Sequence, residues 1–150
     1  MQLVVDNERA MEALGARLAS ACVQGALIFL KGDLGAGKTT LVRGLLRCLG
    51  YQGVVKSPTY TLIETYEVQG RYVHHLDLYR LHDPEELDYL GVREFREGRA
   101  ICLIEWPEQA AEQLMQADLL IHIDYEGRGR KVKIVANTSV GKEMVDLIQQ

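Results

Sequence analysis

Apolar positions along the chain follow two rhythms. Two short runs, Ala26-Leu27-Ile28-Phe29-Leu30 and Ala100-Ile101-Cys102-Leu103-Ile104, contain no charged residue at all. Their length and residue types predict strands buried on both faces, as in a parallel sheet. Elsewhere the repeat is helical. Met11, Leu14, Leu18 and Cys22 share one face of a helix predicted over about residues 8–23, capped by Asp6 or Asn7. Residues 40–49 show the same spacing and stop at Gly50. Residues 60–67 and 71–77 read as two strands joined in a hairpin at Gln69-Gly70, and Leu3-Val4-Val5 as a short edge strand. Asp83-Pro84-Glu85-Glu86 starts a helix that ends near Gly91. A short helix after Pro107, a strand near 119–125, a turn at Gly127-Arg128-Gly129, a strand near 131–136 and a final helix complete the pattern.

Between the first apolar run and the helix at 40–49 stands Gly32-Asp33-Leu34-Gly35-Ala36-Gly37-Lys38-Thr39, with Thr40 following. This matches G-x-x-x-x-G-K-[ST] in its proper setting of strand, glycine loop and helix. Glycines let backbone N–H groups curl around a β-phosphate, and the helix N-terminus adds its dipole. Lys38 is placed for the β- and γ-phosphates and the Thr39 hydroxyl for Mg²⁺. The expected fold is therefore α/β, of the P-loop NTPase kind. Its central sheet is mainly parallel and flanked by helices, with antiparallel strand additions.

Composition narrows the picture. The 150 residues are the size of one domain, and 47% apolar content suffices for a core. A net charge of −4 argues against broad nonspecific nucleic-acid binding. Cys22, Cys48 and Cys102 are unpaired in spacing and read as small core residues in a reducing compartment. No run reaches the length of a membrane span and no leader pattern opens the chain, so a soluble, cytoplasmic protein is expected.

A bound triphosphate needs a second acid near magnesium and a group that positions the attacking oxygen. Glu105, closing the second apolar run, stands where a magnesium-associated acid belongs. Asp77 ends the 71–77 strand and shares a face with His75 by alternation. It reads equally as a group that positions water or holds magnesium through water, or as an ordinary hairpin-end acid. Thr59, in Ser57-Pro58-Thr59-Tyr60, is either a switch threonine that touches the γ-phosphate and Mg²⁺ and loosens after hydrolysis, or part of a proline-fixed turn. His74 and His75 are poor magnesium ligands and read as hydrogen-bonding or packing residues. Trp106 reads as a packed aromatic. Asp88-Tyr89-Leu90-Gly91 has a D-x-x-G spacing, but Gly91 has a helix-capping role there. No N-K-x-D guanine-reading motif occurs, which favours ATP over GTP. Arg128, Arg130, Lys131 and Lys133 form a basic cluster that could face phosphate, RNA or solvent, with a solvated turn as the default.

Taken together, the segments at 32–40, Lys56-Ser57-Pro58-Thr59-Tyr60, His75-Leu76-Asp77-Leu78-Tyr79-Arg80 and Ile104-Glu105-Trp106-Pro107 resemble the TsaE (YjeE) family. Asp83–Leu87 and Ile123-Asp124-Tyr125 extend the likeness over nearly the whole chain. The resemblance implies an ATPase needed for threonylcarbamoyladenosine modification of the adenosine beside the anticodon in ANN-decoding tRNAs. Such a protein acts on the TsaB–TsaD pair, meets tRNA only through that complex, and supports TsaD turnover by hydrolysing ATP. By the same resemblance, Lys38 and the loop amides bind phosphates, and Thr39 and Glu105 sit at Mg²⁺. Thr59 belongs to a switch-like segment, Asp77 supports hydrolysis and Trp106 lies beside the magnesium. Asn7 and Arg130 fall where the family contacts nucleotide. Two alternatives stay open: a small-molecule or nucleoside kinase, which would carry an arginine-rich lid, and a nucleotide-gated binding module whose hydrolysis is incidental.

Overall fold

Both uncharged runs form strands at the heart of one sheet. A computed structural model describes the backbone of residues 1–150 and every side chain except those at 93 and 96. The strands are β1 (Gln2–Val5), β2 (Ala26–Lys31), β3 (Ile63–Val68), β4 (Arg71–Asp77), β5 (Ile101–Glu105), β6 (Leu119–Glu126) and β7 (Gly129–Ala136). The helices are α1 (Glu8–Ala21), α2 (Lys38–Leu49), α3 (Glu86–Leu90) and α4 (Ser139–Gln149). The strand order is β1-β7-β6-β2-β5-β4-β3. Strands β6, β2, β5 and β4 run parallel at the centre, while β7, β1 and β3 add antiparallel margins. This is the mixed α/β sheet, flanked by helices, that the pattern predicts.

Alternation along the central strands divides the core in two. Ile28, Leu30, Val73, Ile101 and Leu103 pack with α1, α2 and α4. Leu27, Leu76, Cys102 and Ile104 face the other way, against Leu87 of α3, Val92 and Ala110. By the same period of two, His75, Asp77 and Glu105 belong to the α2 side of the sheet. In β4 and β5, Asp77 and Glu105 are Cα partners in the parallel register.

Helices α1 and α2 cross with their backbones in contact. A Cβ on Gly44 would overlap the Glu12 carbonyl and stand 2.6 Å from the Glu12 Cα; one on Gly15 would overlap the Leu41 carbonyl. The crossing carries the start of α1 beside the start of α2.

Several boundaries differ from the sequence reading. β3 starts at Ile63, because residues 58–61 form a turn in which the Leu62 N–H donates to the Pro58 carbonyl. The helix expected from Asp83 is only five residues long, and Asp83 Oδ1 instead accepts from the Glu85 N–H in the preceding turn. Gly91 does cap it, at φ 72°, so D-x-x-G is a helix end here. After Pro107 a single 3-10 turn, Pro107–Ala110, replaces the short helix. Cys22 and Cys102 are buried, but Cys48 is exposed, on the solvent side of α2. Burial pushes the Cys22 thiol up to about 12, against a smaller opposing effect of Arg71, so it stays protonated and inert. Among the described residues, no helix is long and apolar enough to cross a membrane.

Candidate functional site at the glycine loop

The loop between β2 and α2 is shaped by glycine and braced from behind. Gly35 and Gly37 have φ of 82° and 122°, a region that residues with a Cβ rarely enter. Helix α2 begins at Lys38 without a side-chain cap, so its first-turn N–H groups lack intrahelical partners and suit an anion. The brace comes from the β6–β7 hairpin. The Tyr125 hydroxyl donates to the Leu34 carbonyl at 3.1 Å. Arg130 donates through Nε to the Ala36 carbonyl at 2.8 Å and through Nη2 to Gly35 at 3.3 Å. Its guanidinium also lies 4.2 Å from the centre of the Tyr125 ring. With these carbonyls held from behind, the Ala36 N–H donates to the Asp33 carbonyl at 3.0 Å, and the start of α2 opens on the concave side of the loop.

Lys38 points back across that concave side. Its ammonium donates to the Gly32 carbonyl at 2.6 Å and lies 3.0 Å from Glu105 Oε1. The other carboxylate oxygen, Oε2, accepts from His75 Nε2 at 2.6 Å. All three side chains are buried. Burial by itself would raise the Glu105 carboxyl, but the hydrogen bonds and charges of His75 and Lys38 outweigh it and hold it below the ordinary 4.5. A carboxyl whose folded value is depressed contributes stability above its unfolded value and loses it as pH falls through the folded one. Urea unfolding at stepped pH should therefore show wild-type stability falling below about pH 4.5 more steeply than that of Glu105→Gln. Equal acid slopes would reject this account of Glu105.

A groove of about 770 Å³ brings together most of the residues singled out in the sequence. Gly37, Lys38, Thr39 and Thr40 line one wall; Thr59, Asp77, Glu105 and Trp106 line the other. Asp77 is buried, and its Oδ1 accepts from the Tyr79 N–H at 2.9 Å. Thr59 shares a 2.7 Å hydrogen bond with Ser57. Trp106 has φ 56° and ψ 49° as the chain leaves β5, and its ring sits 5.0 Å from that of Tyr79. Asp33 and Leu34 are exposed at the loop tip and Ala36 is buried beneath it.

Asn7 and Arg130 lie elsewhere, in a cleft of about 260 Å³ on the outer side of the loop, between α1 and the hairpin. Asn7 is the cap of α1, its Oδ1 accepting from the Ala10 N–H at 2.9 Å. Of the basic turn, Arg128, Lys131 and Lys133 are exposed as expected. Arg130 is not a solvated residue: the carbonyls of the glycine loop draw it inward. Two contributors escaped sequence reasoning. Tyr125 reaches the loop across 91 positions of sequence, and no local pattern signals such a contact. For His75 the signal was present, since alternation already set it on the face of Asp77; its partner across the sheet was not visible.

Comparison with known proteins agrees with this geometry. The family model "Threonylcarbamoyl adenosine biosynthesis protein TsaE" matches residues 5–132. A tRNA threonylcarbamoyladenosine biosynthesis protein TsaE from Haemophilus influenzae is 50% identical over 119 residues, covering 79% of this chain and 75% of that one. The protein of the same name from Bacillus subtilis is 35% identical over 144 residues, 96% of this chain and 89% of its own. The crystal structure of Bacillus subtilis YdiB superposes with a TM-score of 0.81 at 29% identity, covering 99% of this chain and 93% of that one. Since the matched span runs from the end of β1 through the groove to the bracing hairpin, the chain belongs to the TsaE family of tRNA threonylcarbamoyladenosine biosynthesis.

Proposed function

We propose that the protein binds ATP with Mg²⁺ in the groove and hydrolyses it slowly, and that contact with the TsaB–TsaD pair completes the site. The observation that carries this reading is the meeting, in one groove, of an uncapped helix start, Lys38, and the oxygens of Thr39, Thr59, Asp77 and Glu105. The loop amides and Lys38 would hold the phosphates, and Asp77 would orient water. Asn7 and Arg130 border the cleft that would receive the rest of the nucleotide. The donor set suits magnesium, because every oxygen ligand on offer is hard. Among the described residues no group of three His, Cys, Asp or Glu side chains could hold a metal alone. Thr39 and Glu105 would therefore share the ion with phosphate oxygens, the usual arrangement for Mg²⁺. When bound, the ion would offset charge that develops on the phosphates.

A kinase would need basic residues free to close over the transferring phosphate. Arg130 is committed to the loop, and Arg80 stacks 4.5 Å from the Tyr60 ring centre. The deciding measurement is ATP hydrolysis by the purified chain, alone and with TsaB and TsaD, with Lys38→Ala as the blank. A rise of about tenfold or more on adding the pair, absent in the variant, is the expected result. Fast turnover indifferent to the pair would overturn the reading and call for a phosphate acceptor.

A further inference from the structure

We infer that His75 is a positioning residue for Glu105, fixing one carboxylate oxygen in the sheet so that the other stays directed into the groove. The inference rests on the ATPase reading above. It starts from a division of labour at one carboxylate. Oε2 faces inward to His75 Nε2 at 2.6 Å, and Oε1 faces outward to Lys38 Nζ at 3.0 Å. These two partners are not equivalent. Lys38 ends a long, flexible chain, and its ammonium is also the group that must turn to a bound phosphate. His75 is fully buried in β4, and its register beside Leu103 of β5 is set by the backbone ladder. When Lys38 turns away, His75 is the partner that remains.

The surroundings make a packing role a poor explanation. Val73 precedes His75 on the same face of β4, and Ile101 and Leu103 precede Glu105 on β5. An apolar residue would fill this place without leaving a polar atom unpaired. Instead His75 Nδ1 is buried with no hydrogen-bond partner among the described residues, an arrangement that costs free energy. The single bond to Glu105 is what the imidazole supplies in return. A carboxylate partner requires that Nε2 carry a proton, which it donates to Oε2. Full burial removes His75 from direct contact with nucleotide or water, so it acts only through Glu105.

The test uses the full chain, with TsaB and TsaD present where they stimulate it. His75→Leu removes the donor, whereas His75→Gln keeps an amide N–H near the place of Nε2. For each, kcat and the Mg²⁺ concentration at half-maximal rate are measured. Binding of a non-hydrolysable ATP analogue is titrated with and without Mg²⁺. We expect His75→Leu to lower kcat by about 10–100-fold and to weaken Mg²⁺-dependent analogue binding by a similar factor. Analogue binding without Mg²⁺ should stay within about twofold, and His75→Gln should recover most of both losses. In a Glu105→Ala background, His75→Leu should change kcat by no more than about twofold, because its route of action is gone. A harmless His75→Leu, a His75→Gln as damaged as His75→Leu, or full loss on top of Glu105→Ala would each overturn the inference. Should His75→Leu not fold, His75→Asn, whose amide ends short of Glu105, takes its place. Absence of hydrolysis in the wild type under all conditions would instead sink the ATPase reading, while the Mg²⁺ dependence of analogue binding would still report on His75.

Discussion

Lys38→Ala is expected to lower kcat/KM for ATP by on the order of 10³-fold while the protein stays folded. The activity loss follows from position. The ammonium lies within 3.0 Å of both the Gly32 carbonyl and Glu105 at the start of α2, over the loop amides that would cradle phosphate. Arg130 lies outside this groove, held to the loop by the Ala36 and Gly35 carbonyls, and Arg80, which lines the groove, rests over the Tyr60 ring. Stability should suffer less than for an ordinary buried ion pair. Removing one partner of such a pair costs about 3–5 kcal/mol when the remaining charge is left alone. Here Glu105 keeps its 2.6 Å bond to His75, so a loss below about 3 kcal/mol is expected. Equilibrium binding of ATP, turnover and urea unfolding on the same preparation separate the two effects. A variant that still turns over ATP within about tenfold of wild type would refute the role given to Lys38.

The second large effect concerns the fold beneath the site. An exposed helical glycine replaced by alanine normally gains about 1 kcal/mol. Gly44→Ala should do the opposite and cost about 3 kcal/mol, the upper part of the range for overpacking. The added Cβ would meet backbone on α1, the Glu12 carbonyl and Cα, and not the movable end of a side chain. For a chain of this size the expected fall in Tm is about 6–12 °C. Gly70→Ala is the control. It has open space but a φ of 78°, so it should lose about 1 kcal/mol from backbone strain alone. A Gly44→Ala protein as stable as wild type would mean that α1 and α2 separate more freely than their crossing suggests.

How much of this was legible beforehand depends on the range of the interaction. The uncharged runs at 26–30 and 100–104 declared the parallel centre, because burial on both faces leaves no polar alternation to misread. The glycine loop declared itself too, since its shape and its sequence have one cause. Glu105 and Asp77 were found as strand ends, and Asn7 as a cap, from local rules. Boundaries failed where a turn competed with an element. Thr61 and Leu62 look like strand residues, yet Pro58 starts a turn that uses the Leu62 N–H first. Asp83 looks like a helix cap, yet its carboxylate satisfies Glu85 one turn too early. Cys48 was misread because helical spacing alone left its side of α2 open, and that side faces water. The contacts that sequence reasoning missed, His75 with Glu105 and the hairpin with the loop, join positions 30 and more than 90 residues apart. Periodicity carries no information about them.

The pairing of Asp77 with Glu105 across β4 and β5 makes the sheet a ruler. Neighbouring strands lie about 4.8 Å apart whatever their side chains are, so these two acids stand on one rung whose width no loop can alter. Exchanging residues in the glycine loop or at 57–60 reshapes the groove around that rung. It leaves the gauge itself as the backbone drew it.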